Sequence, residues 1–177
     1  DTEFVIRTAE ELREFSELSE FYTFEGQTIR LENDIVLNEG NAADWAETAP
    51  ANRWAPVSNF AGTFDGQGHT VSGLYARSYE APMAMFENTS RSCVIRNVKL
   101  VNSYIETGGA SGAASFVARG DGKFYQLYSE AVIVNKGDRA GGIIALTDKA
   151  ATLEECWFAG SINSTGRFMG GIVGTVM

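Results

Sequence analysis

One histidine and two cysteines among 177 residues leave little material for metal or thiol chemistry. Zinc sites draw on clustered His and Cys at short fixed spacings, and His69, Cys93 and Cys156 match none of them. Two isolated cysteines do not make a disulfide framework, so both are expected as free thiols, with Cys156 in a small apolar core position. Cations are scarce as well: 14 Lys plus Arg stand against 23 Asp plus Glu, a net charge of −9 with no dense Lys/Arg run. A surface that tracks phosphates needs clustered cations, which argues against nucleic acid and anionic membranes as partners. No apolar run approaches the ~20 residues that span a bilayer, so no membrane insertion is expected of this segment. The metallopeptidase motif His-Glu-x-x-His is absent, as is a Ser/His/Asp elbow.

What the chain does have is a repeat of 29 residues. Asn97, Gln126 and Glu155 share a column, as do Val98, Leu127 and Cys156. Glycines recur at Gly108, Gly137 and Gly166, and again at Gly112, Gly141 and Gly170. Apolar residues recur at Ile95, Phe124 and Leu153, and at Tyr104, Ile133 and Ile162. A fixed period of roughly 20–50 residues marks a solenoid, in which each repeat buries its apolar side against its neighbours. Within each period short alternating runs, such as Val98-Lys99-Leu100 and Val132-Ile133-Val134, have the periodicity of strands. The expected fold is therefore all-β, a parallel β-helix of about five coils over residues 28–177.

Residues 1–27 lie outside the repeat and are expected to form an N-terminal cap. Thr8 and Glu11 make a capping box, and Leu12, Phe15 and Leu18 follow helical spacing, which predicts a helix over about 9–19. Such a helix would cover the first apolar layer of the solenoid. Extended backwards, the register sets Ala84-Met85-Phe86 on Ala113-Ala114-Ser115 and places Ile35 in the role of Tyr75. Ile35 then precedes Val57 by 22 residues where Tyr75 precedes Phe86 by 11, so an insertion falls within 38–53. The last coil, from Leu153, is incomplete at Met177, and the chain reads as a fragment whose uncovered end invites end-to-end association.

The run Trp54-Ala55-Pro56-Val57, followed by Phe60-Ala61-Gly62-Thr63-Phe64-Asp65-Gly66-Gln67-Gly68-His69-Thr70-Val71-Ser72-Gly73-Leu74, resembles bacterial surface proteins with GLUG-type repeats. Leu153 to Ile162 with Gly170-Gly171-Ile172-Val173-Gly174 looks like one full GLUG-type unit. The match departs at Ala114-Ser115-Phe116, which lacks the Gly-Gly pair, and at Phe124-Tyr125-Gln126-Leu127, which lacks the Asn. The resemblance implies a right-handed parallel β-helix, secreted or displayed at a bacterial cell surface. Similar segments precede the catalytic region of immunoglobulin A1-cleaving metallopeptidases. The implied function is a non-catalytic adhesin or stalk that binds host-protein or glycan ligands. The alternatives are an accessory segment of a larger secreted enzyme, or a polysaccharide lyase or glycoside hydrolase.

Candidate sites are few. Asp65-Gly66-Gln67-Gly68-His69 looks most like an active site, since a histidine can serve as acid or base near neutral pH and glycines admit close approach. In the 29-residue register, however, His69 takes the inward column of Val98, Leu127 and Cys156. Asp65, Gly66 and Gly68 then read as a tight turn, and Gly112, Gly141 and Gly170 as structural repeat positions, with 109–112 a repeat turn. No cofactor is called for; a calcium site could draw on Asp44, Glu47, Asp65, Asp121 and Asp138 in loops, but no Asp-x-Asp-x-Asp-Gly run supports one. A lyase would need carboxylates stacked with a base, whereas Arg119, Lys123, Lys136, Arg139 and Lys149 are scattered through turns. The best binding candidate is the insertion, because solenoid insertions protrude on one face. It offers Trp45 beside Asp44 and Glu47, with Trp54 just past its end, a set suited to stacking on a sugar ring.

Overall fold

The computed structural model describes residues 2–108 and 112–177, and every strand pairing in it is parallel. The expected turn at 109–112 lies, apart from Gly112, outside the described residues. The chain winds as a β-solenoid of three main sheets. The first stacks Glu3–Ile6, Thr28–Leu31, Thr63–Asp65, Val94–Val101, Gly122–Ser129 and Ala151–Glu154 in six rungs. The second stacks Tyr75–Ser78, Tyr104–Thr107, Val132–Asn135 and Ser161–Ser164. The third stacks Val57–Phe60, Phe86–Thr89, Val117–Gly120, Ile144–Thr147 and Val173–Val176, and a small ladder joins Arg139–Gly141 to Phe168–Gly170.

Six rungs rather than five arise because the N-terminal segment is not separate from the solenoid. Glu3–Ile6 pairs with Thr28–Leu31 as the first rung, ahead of the helix. That helix spans Ala9–Leu18 and carries the capping box, with Glu11 N–H donating to Thr8 Oγ1 and Thr8 N–H to the Glu11 carboxylate. It lies against Val57–Phe60, where the Ser16 hydroxyl donates to the Ala55 carbonyl and Ser58 N–H donates to Ser19 Oγ at 2.7 Å. Phe15 stacks on Phe64 at 5.9 Å and meets Phe60 edge-on at 5.8 Å, so the helix closes the core from above.

Inward side chains form columns along the axis. Ile29, Phe64, Ile95, Phe124 and Leu153 face one another across successive rungs. All but Leu153 are buried, and each such side chain contributes roughly 1.5–3 kcal/mol when fully buried. On the last rung Leu153, Phe158, Ile162, Ile172 and Val173 are only half-buried, since no further rung lies over them.

The 29-residue period slips in each main sheet, in the first where Asp65 pairs with Arg96 at an offset of 31. In the second sheet Tyr104 pairs with Val132 and Ile105 with Ile133, an offset of 28. A slip of one residue exchanges the two faces of a strand. The inward column is therefore Ala76, Ile105, Ile133 and Ile162, while Tyr75 and Tyr104 stand outside and stack at 5.8 Å. In the third sheet Phe86 faces Val117, not Ser115, and Val117 faces Ile144: offsets of 31 and 27 that restore the period over two coils. Gly112 accordingly lines up with Arg139 rather than Gly141, since Ala113 bridges Ala140. Gly141 and Gly170 do pair, and a Cβ on Gly141 would lie 1.9 Å from the Ile144 carbonyl oxygen.

Ile35 pairs with Val71 in the first sheet, so it does not take the part of Tyr75. Residues 38–53 instead stand where a second-sheet strand would precede Tyr75–Ser78. Asn38 pins the base of this loop, donating to the Asn52 and Gly73 carbonyls and accepting from Asn52 N–H.

Candidate functional site

The Asn97, Gln126 and Glu155 column has a structural reason that the amino-acid types conceal. Each of these residues, together with Gln67, adopts a left-handed conformation with φ of 51–54°. The residue bends its strand in mid-course, so Val94–Val101 and Gly122–Ser129 each turn a corner there. Stacked over four rungs, the corners make a concave outer face. Gln126 and Glu155 are poor occupants of this region, because their Cβ crowds the backbone by about 1–2 kcal/mol relative to glycine. Gln126→Gly is therefore expected to hold or raise the midpoint of thermal unfolding, whereas Gln126→Val lowers stability by about 1–2 kcal/mol. Destabilisation by the glycine, measured by calorimetry, would contradict the left-handed corner.

The concave face is a groove of about 890 Å³. One wall holds Gln67, Asn97, Gln126 and Glu155, with the Gln126 amide donating to Glu155 at 2.8 Å. The opposite wall holds Lys99, Tyr128 and Trp157, which pair in register on successive rungs. Strands in register lie about 4.8 Å apart, so each rung adds one equivalent position along the groove. Trp157 is 56% exposed and offers an open indole face. The Tyr128 hydroxyl donates to Glu130, and that carboxylate keeps the phenol protonated to higher pH than usual. The bond also fixes the orientation of the ring. Glu130 and Glu155 both stand in solvent.

The residues singled out in the sequence lie elsewhere. Trp45 is 4% exposed and packs edge-on against Tyr75 at 6.1 Å, so its ring offers no face to a ligand. Trp54 is buried too, and its Nε1–H donates to the Met85 carbonyl at 3.0 Å. Asp44 and Glu47 point to solvent, and the loop thus separates its aromatic ring from its carboxylates. Trp45 packs on the outer face of Tyr75, the apolar surface beside the loop, whereas Trp54 joins the main core.

His69 does not enter the core column. Its ring is 33% exposed, with Nδ1 at 3.1 Å from Asp34 Oδ1. Four residues separate Asp65 from Thr70 where two separate their partners Arg96 and Lys99. The extra pair, Gln67 and Gly68, forms a turn in which Gly66 lies over Val98, where a Cβ would come within 2.5 Å. That fills the inward position and sends His69 to the surface.

Asp65 does close the turn, its Oδ1 accepting from Gln67 N–H at 2.9 Å and its Oδ2 from Arg96 at 2.9 Å. Asp121 is buried and accepts from the Thr147 hydroxyl at 2.7 Å and from the N–H groups of Asp148 and Ala150. The oxygens of both carboxylates are engaged by protein donors, and Asp138 sits near Arg167 at 3.5 Å. Among the described residues no three His, Cys, Asp or Glu side chains gather at one point. Lys136 reaches the buried Glu106 at 3.3 Å, with Arg77 on its other side at 2.8 Å, and Arg139 lies over the Phe168 ring at 5.7 Å. Cys93 and Cys156 are free thiols, and burial pushes that of Cys93 up to about 12.

Sequence reasoning did not single out the groove. Its signal was the alternation of Tyr128 and Trp157 with inward residues at a 29-residue spacing, legible once the strands are placed. No family model matches the chain, and neither the curated proteins nor the solved structures give a match.

Proposed function

We propose that this protein is a non-catalytic binding module that holds an extended glycan chain along the groove. The observation that carries this reading is the register of Tyr128 and Trp157 on adjacent rungs, facing a row of amides and a carboxylate. Aromatic faces stack on the apolar faces of sugar rings, while Gln67, Asn97 and Gln126 supply donors and acceptors for hydroxyls. A rung spacing of about 4.8 Å suits a polymer of repeating units better than a compact ligand. Kinship with GLUG-type repeat proteins, and display on or secretion from a bacterial cell, belong to the same proposal. They rest on the motif residues given above. A role as accessory segment to a larger secreted enzyme is compatible with the same groove.

The test is a glycan array followed by calorimetric titration of the best ligand. Trp157→Ala is expected to weaken binding about tenfold or more, the equivalent of ~1.4 kcal/mol, without lowering the melting temperature. Asp44→Ala in the loop is expected to bind as wild type. A ligand insensitive to Trp157→Ala, or an array with no ligand at all, would refute the groove.

A further inference from the structure

The first rung has features that neither the groove nor the core uses. Among the described residues Glu3–Ile6 is the terminal strand of its sheet and pairs on one side, with Thr28–Leu31. Alternate residues of a strand direct their N–H and C=O groups to opposite edges. Thr2 and Ile6 give their carbonyls to Thr28 and Glu32, which directs the main-chain groups of Glu3 and Val5 to the other edge. Beside that strand lies a slot of about 430 Å³ between it and the helix. Ile6, Phe15, Phe24 and Ile29 form its buried floor, while Phe4, Leu18 and Tyr22 stand at the opening, 44–61% exposed. Glu11 and Glu14 lie on the helix side of the rim. Charge there is mostly of one sign: residues 3–25 hold seven Glu against Arg7 and Arg13, with Glu3 paired to Arg30 at 2.6 Å and Arg7 to Glu32, which leaves the helix carboxylates in excess.

We infer that this end of the solenoid docks an extended segment of a partner protein, with a large apolar residue at its centre and Lys or Arg at its flanks. The segment adds a strand to Glu3–Ile6, its central side chain enters the slot, and its cations meet the acidic rim. Main-chain pairing supplies affinity in strand addition, and the pocket and the charge supply selection. An apolar slot beside an unpaired strand inside an acidic surround fits that chemistry. A neutral amphiphile would use the slot but neither the edge nor the charge.

The experiment is fluorescence anisotropy of the full chain with a labelled probe peptide, KKTVFVTKK. Saturable binding is expected, weakened several-fold when salt is raised from about 0.05 to 0.5 M. Loss of about tenfold or more is expected with the acidic analogue EETVFVTEE, with the central Phe replaced by Ser, and with Pro at both Val positions. Leu18→Glu abolishes binding, and Glu14→Lys shifts preference toward the acidic analogue. Both positions are exposed, and circular dichroism checks that the variants stay folded. Trp157→Ala leaves peptide binding unchanged, which keeps this outcome separate from the glycan groove. Absence of binding, equal binding of the Pro analogue, or binding that survives Leu18→Glu would each overturn the inference; the last would place the peptide on the open final rung.

Discussion

Phe64→Ala is expected to lower the free energy of unfolding by about 3–5 kcal/mol. Phe64 is fully buried and serves three layers at once. It lies under the helix through Phe15 and meets Phe86 of the third sheet at 5.5 Å. Along the first sheet it is stacked between Ile29 and Ile95. A solenoid transmits stability between neighbouring rungs, so a cavity here weakens both the cap and the coil beneath it. Parallel strands fix the rung spacing, which limits how far the backbone can close on the gap. Urea unfolding followed by far-ultraviolet circular dichroism measures the effect. A loss below about 1 kcal/mol would mean that the cap and the coils do not share one core.

Asp121→Ala is expected to cost about 1–3 kcal/mol, and it also changes how stability depends on pH. The carboxylate is 7% exposed and ties the corner after Val117–Gly120 to the turn at Thr147–Ala150. Its removal leaves the Thr147 hydroxyl and two N–H groups without their acceptor. Burial raises its pKa, but the bonds from Thr147, Asp148 and Ala150 outweigh burial and hold the group below the usual carboxylate range. Asp65 behaves alike, with the Gln67 N–H, Asn97 and Arg96 overcoming burial. A carboxylate whose pKa is lower folded than unfolded stabilises the fold above its unfolded value, near ~3.9. That contribution is lost as pH falls through the folded value. Stability should thus be level from neutral pH to about 5 and fall below about 4, less steeply in Asp121→Ala. An identical acid profile in the variant would show that Asp121 does not carry its share.

Recurrence in the sequence alone determined that this chain coils. Each rung meets nearly the same neighbours, so Ile95, Phe124 and Leu153 must repeat whatever their exact geometry. The capping box at Thr8 and Glu11 was equally legible, because it is a local pattern with a local cause. The tertiary structure decided everything that depends on a shift of one or two residues. The offset of 28 in the second sheet turned Tyr104 outward, and the extra pair at Gln67 and Gly68 brought His69 to the surface. Strand faces alternate at every residue, so a register right on average still misplaces a side chain wherever the chain bulges. The same limit hid the groove. Asn97, Gln126 and Glu155 share a column not for their side-chain chemistry but because each adopts the left-handed backbone conformation at a corner. A conformation of that kind has no fixed residue signature, so the concave face with Tyr128 and Trp157 emerges only when the rungs are stacked.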